Sequence, residues 1–92
     1  MKIPFKKVAI ITGGCGLLGW EHALALRELN YKIVILDNSQ KDLKKRVIEN
    51  KKFQYKFDII KCDITKKIKL FKIFKSIFKK YKNIDVLINN AS

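Results

Sequence analysis

The chain has 92 residues, 48% of them hydrophobic and 11% aromatic, with a formal net charge of +13. That suffices for one small domain, and the apolar content excludes a disordered tail despite the charge. No apolar run nears the ~20 residues that span a bilayer, and MKIPFKKVAIITGG holds too short an apolar stretch for a secretory signal, so a cytoplasmic setting is expected.

Pro4 precedes the first predicted strand, Val8 to Thr12 (VAIIT), a short β-branched run ended by glycine. A helix is predicted from Leu17 to Leu29, with Leu17, Leu18, Ala23, Leu24, Leu26 and Leu29 as its apolar positions and Asn30 placed to take left-handed geometry after it. Lys32 to Leu36 (KIVIL) reads as a second buried strand. Ser39 or Asn38 can cap a helix from about Gln40 to Asn50, facing inward through Leu43, Val47 and Ile48. Tyr55 to Cys62 reads as a third strand. Thr65 can cap a helix over Lys66 to Tyr81, whose Ile68, Phe71, Phe74, Ile77, Phe78 and Tyr81 form one apolar stripe, read as core rather than as a membrane or partner surface. Asp85 to Ile88 (DVLI) is the fourth strand.

Strands that alternate with helices in this way predict an α/β fold with a doubly wound parallel sheet. Right-handed crossovers put the first two helices on one face and the third on the other, for a strand order of 3-2-1-4. Ligands then bind at the carboxyl ends of the first and fourth strands.

The charge and the cysteines narrow the chemistry. Lysine supplies 19 of the 21 basic residues, spread along the whole chain, and only Arg27 and Arg46 are arginine. Base-edge and phosphate recognition favours the planar fork of arginine, so the charge reads as a solvated surface and no specific nucleic acid is expected. Cys15 and Cys62 lack a CxxC spacing and read as free thiols. With His22 as the only histidine, no metal site is expected.

All four glycines fall between Gly13 and Gly19. A strand turning sharply into a helix needs backbone angles that Gly13 or Gly14 can supply. A phosphate approaching the turn needs bare backbone, and a helix beginning near Leu17 offers it unpaired N–H groups and the positive dipole end. Gly19 costs ~1 kcal/mol of helix stability against alanine, and close packing of the helix on the first strand is the expected reason for it. Asp37 lies 18 positions beyond Gly19, close to the ~20 expected of a carboxylate that takes ribose hydroxyls. An acid there repels a 2′-phosphate, which favours NAD over NADP, although Lys41, Lys44 and Lys45 follow it.

The chain resembles the short-chain dehydrogenase/reductase family in Thr12-Gly13-Gly14-Cys15-Gly16-Leu17-Leu18-Gly19, Asp37, Cys62-Asp63-Ile64-Thr65 and Ile88-Asn89-Asn90-Ala91-Ser92. The resemblance implies a Rossmann-like three-layer sandwich, here partial, with residues 1–92 as an NAD(P)-binding part. It implies that Gly13 to Gly19 cradle the cofactor, with Cys15, Gly16, Leu17 and Leu18 among its contacts. It assigns Asp63 and the Ile64 backbone to the adenine, and Asn89, Asn90 and Ala91 to bracing the sheet and lining the ribose. It also implies a small-molecule substrate and homo-oligomeric intact relatives. The T-G-x-x-G-x-x-G spacing fits the extended branch of the family and the Asn-Asn-Ala ending the single-domain branch; the ending is the more discriminating.

The family's catalytic pair is Tyr-x-x-x-Lys, with a serine on the fifth strand. Tyr31, Tyr55 and Tyr81 are followed four positions later by Ile35, Ile59 and Asp85, so no such pair exists in these residues. The expectation is the cofactor-binding amino-terminal portion of an NAD-dependent oxidoreductase. The alternatives are a non-catalytic nucleotide-binding or regulatory module and, less favoured, a basic nucleic-acid-binding domain.

Overall fold

The computed structural model describes residues 7–90, and Pro4, Ala91 and Ser92 lie outside the described residues. Along the chain run β1 (Lys7–Thr12), α1 (Leu17–Glu28), β2 (Tyr31–Asp37), α2 (Gln40–Phe53), β3 (Asp58–Lys61), α3 (Lys67–Tyr81) and β4 (Val86–Asn89). The strands form one parallel sheet in the order β3-β2-β1-β4, as the alternation predicted. Ala9 on β1 pairs with Ile33 on β2 and with Val86 on β4, which sets the register of the centre.

The two central strands are buried on both faces, and that is why they read as unbroken aliphatic runs. Ala9, Ile11, Ile33 and Ile35 point toward α1 and α2, where they meet Trp20, Ala23, Leu43 and Phe57. Val8, Ile10, Val34 and Leu36 point the other way, onto Ile77 of α3 and Cys62. Each fully buried aliphatic side chain contributes about 1.5–3 kcal/mol, so these strands hold the sandwich together. The three layers and the helix placement match the expectation.

Several helix faces differ from the periodicity reading. On α1 the inward residues are Gly19, Trp20 and Ala23, whereas Leu17, Leu18 and Leu29 are exposed. Gly19 lets the helix lie against the turn before it, Leu24 and Leu26 pack partly buried on the core as expected, and the leucines at its ends face away. On α2 Leu43 is buried as expected, but Val47 and Ile48 are exposed and Arg46 takes the inward place. On α3 the sheet is met by Leu70, Ile73, Phe74, Ile77 and Tyr81, leaving Ile68, Phe71 and Phe78 outside. The core reading of that stripe therefore holds for half of it.

Boundaries shifted where local geometry intervened. Helix α2 continues to Phe53 and stops at Gln54, whose φ is 55°. The third strand is shorter than YKFDIIKC because Lys56 adopts a φ of 64°, off the extended path. Tyr55 and Phe57 instead stack with centroids 5.3 Å apart, and Phe57 meets the edge of Trp20 at 5.2 Å. Ser39 caps α2 as expected, accepting from the Asp42 N–H at 3.3 Å. Thr65 caps nothing: its N–H and hydroxyl both donate to Asp63 Oδ1, at 3.0 and 2.6 Å, and Lys66 occupies the cap position of α3 without a side-chain bond.

Candidate functional site

The turn between β1 and α1 is shaped by its glycines. Gly13 takes a φ of 64°, a conformation open to glycine at little cost, while its N–H still extends the sheet by donating to the Leu36 carbonyl at 2.8 Å. A Cβ on Gly19 would lie 2.4 Å from the Gly13 carbonyl oxygen and 2.8 Å from Gly14 Cα. At Gly19 helix α1 therefore rests on the backbone of the turn, while Trp20 and Ala23 beyond it make the expected packing on the first strand. Gly16 occupies the helix N-cap and provides no side-chain cap, so the first-turn amides of Leu17, Leu18 and Gly19 have no partner within the helix.

Asp37 closes β2 directly beside this turn. Its Oδ2 accepts the Cys15 N–H at 2.9 Å and its Oδ1 accepts the Ser39 N–H at 2.9 Å. An ionised carboxylate has about four acceptor positions, so each oxygen keeps capacity for a further donor.

An open cleft of about 540 Å³ lies at the carboxyl ends of the strands, where the strand order turns back. Gly13, Gly16, Asp37, Asp63, Ile64 and Asn90 all line it, so the structure brings together residues from all four stretches that carry the resemblance. Asp42, from the first turn of α2, also faces it. Gly14, Cys15 and Gly19 are buried in the turn beside it, and Leu17 and Leu18 stand exposed at the start of α1. Asn89 is engaged by Thr12, whose hydroxyl donates to its Oδ1 at 2.7 Å, while the Asn90 side-chain nitrogen sits 3.2 Å from His22 Nδ1. Ala91, expected at the ribose, is outside the described residues. A cavity of about 400 Å³ at the opposite end of the strands is lined by Arg27, Tyr31 and Tyr55 among others, and has neither a bare glycine turn nor a helix N-terminus.

Burial favours the protonated form of both thiols in this region. Burial pushes the Cys15 thiol up to about 12, helped by the negative charges of Asp37 and Asp42 and opposed by Arg46. Burial and Asp63 also raise the Cys62 thiol. Both cysteines are free, as the spacing implied, and both are buried. The Thr65 hydrogen bonds hold the Asp63 carboxyl below the usual range, so it faces the cleft ionised. Among the described residues no cluster of three or more potential metal ligands occurs.

Arg46 was missed by the sequence reading. It is 8% exposed, its Nε donates to the Cys15 carbonyl at 3.0 Å, and it pairs with Glu49 at 2.9 Å. Its guanidinium lies 4.7 Å from the Trp20 ring centroid. The one available signal was an arginine in a chain whose bases are otherwise almost all lysine.

The chain matches the short chain dehydrogenase family profile over residues 7–92. It is 31% identical over 85 residues to the sorbose reductase SOU1 of Candida albicans, covering 92% of this chain and 30% of that protein. The structure of 2-keto-3-deoxy-D-gluconate dehydrogenase from Streptococcus agalactiae superposes with a TM-score of 0.83 at 31% identity, over 95% of this chain and 33% of that one. An NAD+-bound xylitol dehydrogenase superposes at 0.77 with 28% identity, over 94% of this chain and 33% of that one. An actinorhodin polyketide ketoreductase with NADPH superposes at 0.81 with 23% identity, also over 94% of this chain and 33% of that one. The chain thus spans about a third of the length of these relatives. With the glycine turn, the strand order and this match in agreement, the chain belongs to the short-chain dehydrogenase family.

Proposed function

We propose that this chain is the dinucleotide-binding portion of an NAD-dependent oxidoreductase that acts on a small alcohol or carbonyl compound. The carrying observation is Asp37, bonded to the glycine turn through Cys15 and lining the same cleft as Gly13 and Gly16. The residues present fit such a cofactor: Gly13 and Gly16 line the cleft with backbone alone, and the N-terminus of α1 carries no side-chain cap. When bound, the nicotinamide supplies hydride transfer.

The first-turn amides of α1 hold the diphosphate, favoured by the helix dipole. The remaining acceptor capacity of Asp37 takes the ribose hydroxyls. Asp37 and Asp42, both facing the cleft, place negative charge where a 2′-phosphate would need cations, and that supports NAD over NADP. The family's structures include both cofactors, so the preference rests on these carboxylates. Asp63, Ile64 and Asn90 line the same cleft, which supports the reading of Asp63 and the Ile64 backbone as partners of the adenine and of Asn90 as a partner of the ribose. The proton of the reaction requires a tyrosine-lysine pair that none of Tyr31, Tyr55 and Tyr81 heads, so the role of this stretch is to hold and orient the cofactor. Buried free thiols support a reducing, cytoplasmic setting.

Calorimetric titration with NAD and with NADP tests the reading. NAD should bind, with NADP weaker by about tenfold or more, the effect of leaving charged groups poorly paired. Equal affinities overturn the NAD preference, and binding of neither overturns the dinucleotide reading.

A further inference from the structure

Arg46 is a charge drawn into the interior of a protein whose other bases stand mostly in water. Burying a guanidinium is costly unless its donors are used and its charge is paired. Behind the glycine turn the charge is paired and two of the three nitrogens donate to acceptors. Arg46 Nε donates to the Cys15 carbonyl at 3.0 Å, Nη1 binds Glu49 at 2.9 Å, and the guanidinium faces Trp20 at 4.7 Å. On its other side the same residue, Cys15, donates its N–H to Asp37 at 2.9 Å.

Cys15 is thus pinned at both backbone groups, in a turn whose neighbours are Gly13, Gly14 and Gly16. Glycine-rich backbone has the most freedom to lose when it binds a ligand, and a turn already held in place loses less.

We propose that Arg46 is a positioning residue for the diphosphate of the dinucleotide. It acts through the Cys15 carbonyl: by holding the Cys15–Gly16 peptide from behind, it presents the amino end of α1 to the phosphates. This rests on the dinucleotide reading above. Lysine at this position keeps the charge but lacks the rigid fork that serves Cys15 and Glu49 together.

The experiment compares ADP, which carries the diphosphate, with adenosine, which does not, by NMR and calorimetric titration of the purified protein. Arg46→Met should weaken ADP about tenfold, the effect of losing a charge-assisted hydrogen bond, and leave adenosine unchanged. Arg46→Lys should recover part of the loss. Glu49→Gln removes the counter-charge while sparing the bond to Cys15, and should bind ADP at least as tightly as the wild type. Equal weakening of both ligands would mark Arg46 as packing alone, and undiminished ADP affinity in Arg46→Met would likewise overturn the proposal. If Arg46→Met does not fold, Arg46→Lys and Glu49→Gln decide: the proposal requires the first to weaken ADP selectively and the second not to weaken it. Wild-type protein that binds neither ligand overturns the dinucleotide reading itself, a result distinct from wild-type binding that the variants leave unchanged.

Discussion

The Thr12 hydroxyl donates to Asn89 Oδ1 at 2.7 Å, joining the last residue of β1 to the last residue of β4. These two strands flank the point where the strand order turns back, and the cleft opens at their ends. The next backbone group continues the join, with the Asn90 N–H donating to the Thr12 carbonyl at 3.1 Å. The two asparagines therefore divide the work: Asn89 ties the strands together and Asn90 faces the cleft.

Thr12→Val keeps the shape of the side chain and removes its hydroxyl, leaving the Asn89 amide without this donor. A loss of about 1 kcal/mol in stability is expected, the ordinary net value of one hydrogen bond. Urea denaturation measures it. An unchanged midpoint means that the bond contributes nothing to the join of β1 and β4.

Gly19→Ala adds a methyl group 2.4 Å from a backbone oxygen that cannot rotate away. The helix must move off the turn, at a cost of about 1–3 kcal/mol typical of overpacking, despite alanine being the better helix former. ADP affinity should fall with it, because the shift displaces the first-turn amides. A more stable Gly19→Ala protein would show that α1 does not bear on the turn.

Asp58 gives stability an acid dependence. Burial alone would raise its carboxyl, but the Tyr81 hydroxyl, Lys32 and Lys80 together hold it below the usual value of 3.8. A carboxyl depressed in the folded state stabilises the protein above its unfolded value, and the contribution is lost as pH falls through the folded value. Asp58→Asn should therefore be less stable than wild type at pH 7, with the gap closing below about pH 3.8. Thermal melts across that range measure it, and a constant gap means that the effect is not electrostatic.

The Cys15 thiol shows the opposite sign. Held at about 12 by burial and then Asp37, against an ordinary 9.0, it stabilises the folded state fully below about pH 9.0 and loses that contribution as pH rises toward 12. Native protein at pH 8 should leave Cys15 unmodified by iodoacetamide, with labelling following unfolding in urea. Rapid native labelling, read by peptide mass, would show an open turn.

The strands and the strand order were legible because a parallel sheet buried on both faces demands unbroken aliphatic runs, and Val8–Thr12 and Lys32–Leu36 are such runs. The helix faces were legible only in part. Periodicity says which residues share a face but not what lies opposite, so Val47, Ile48, Phe71 and Phe78 read as core and stand in solvent. The third strand read too long because nothing local announced the positive φ of Lys56. Thr65 read as a cap because the spacing cannot show that Asp63 claims its hydroxyl first.

For the site the division is similar. Sequence alone determined the glycines at the turn and first helix turn, the acid at the end of the second strand, and the Asn-Asn pair at the end of the fourth. Each is a local requirement of backbone angle, bare surface or charge, written at a fixed spacing. Only the tertiary structure decided that α1 rests on the turn through Gly19, that Asp37 holds Cys15, and that Arg46 holds it from behind. The last two contacts join residues 22 and 31 positions apart, and whether a charge so placed is solvated or buried depends on the packing of α2 against α1.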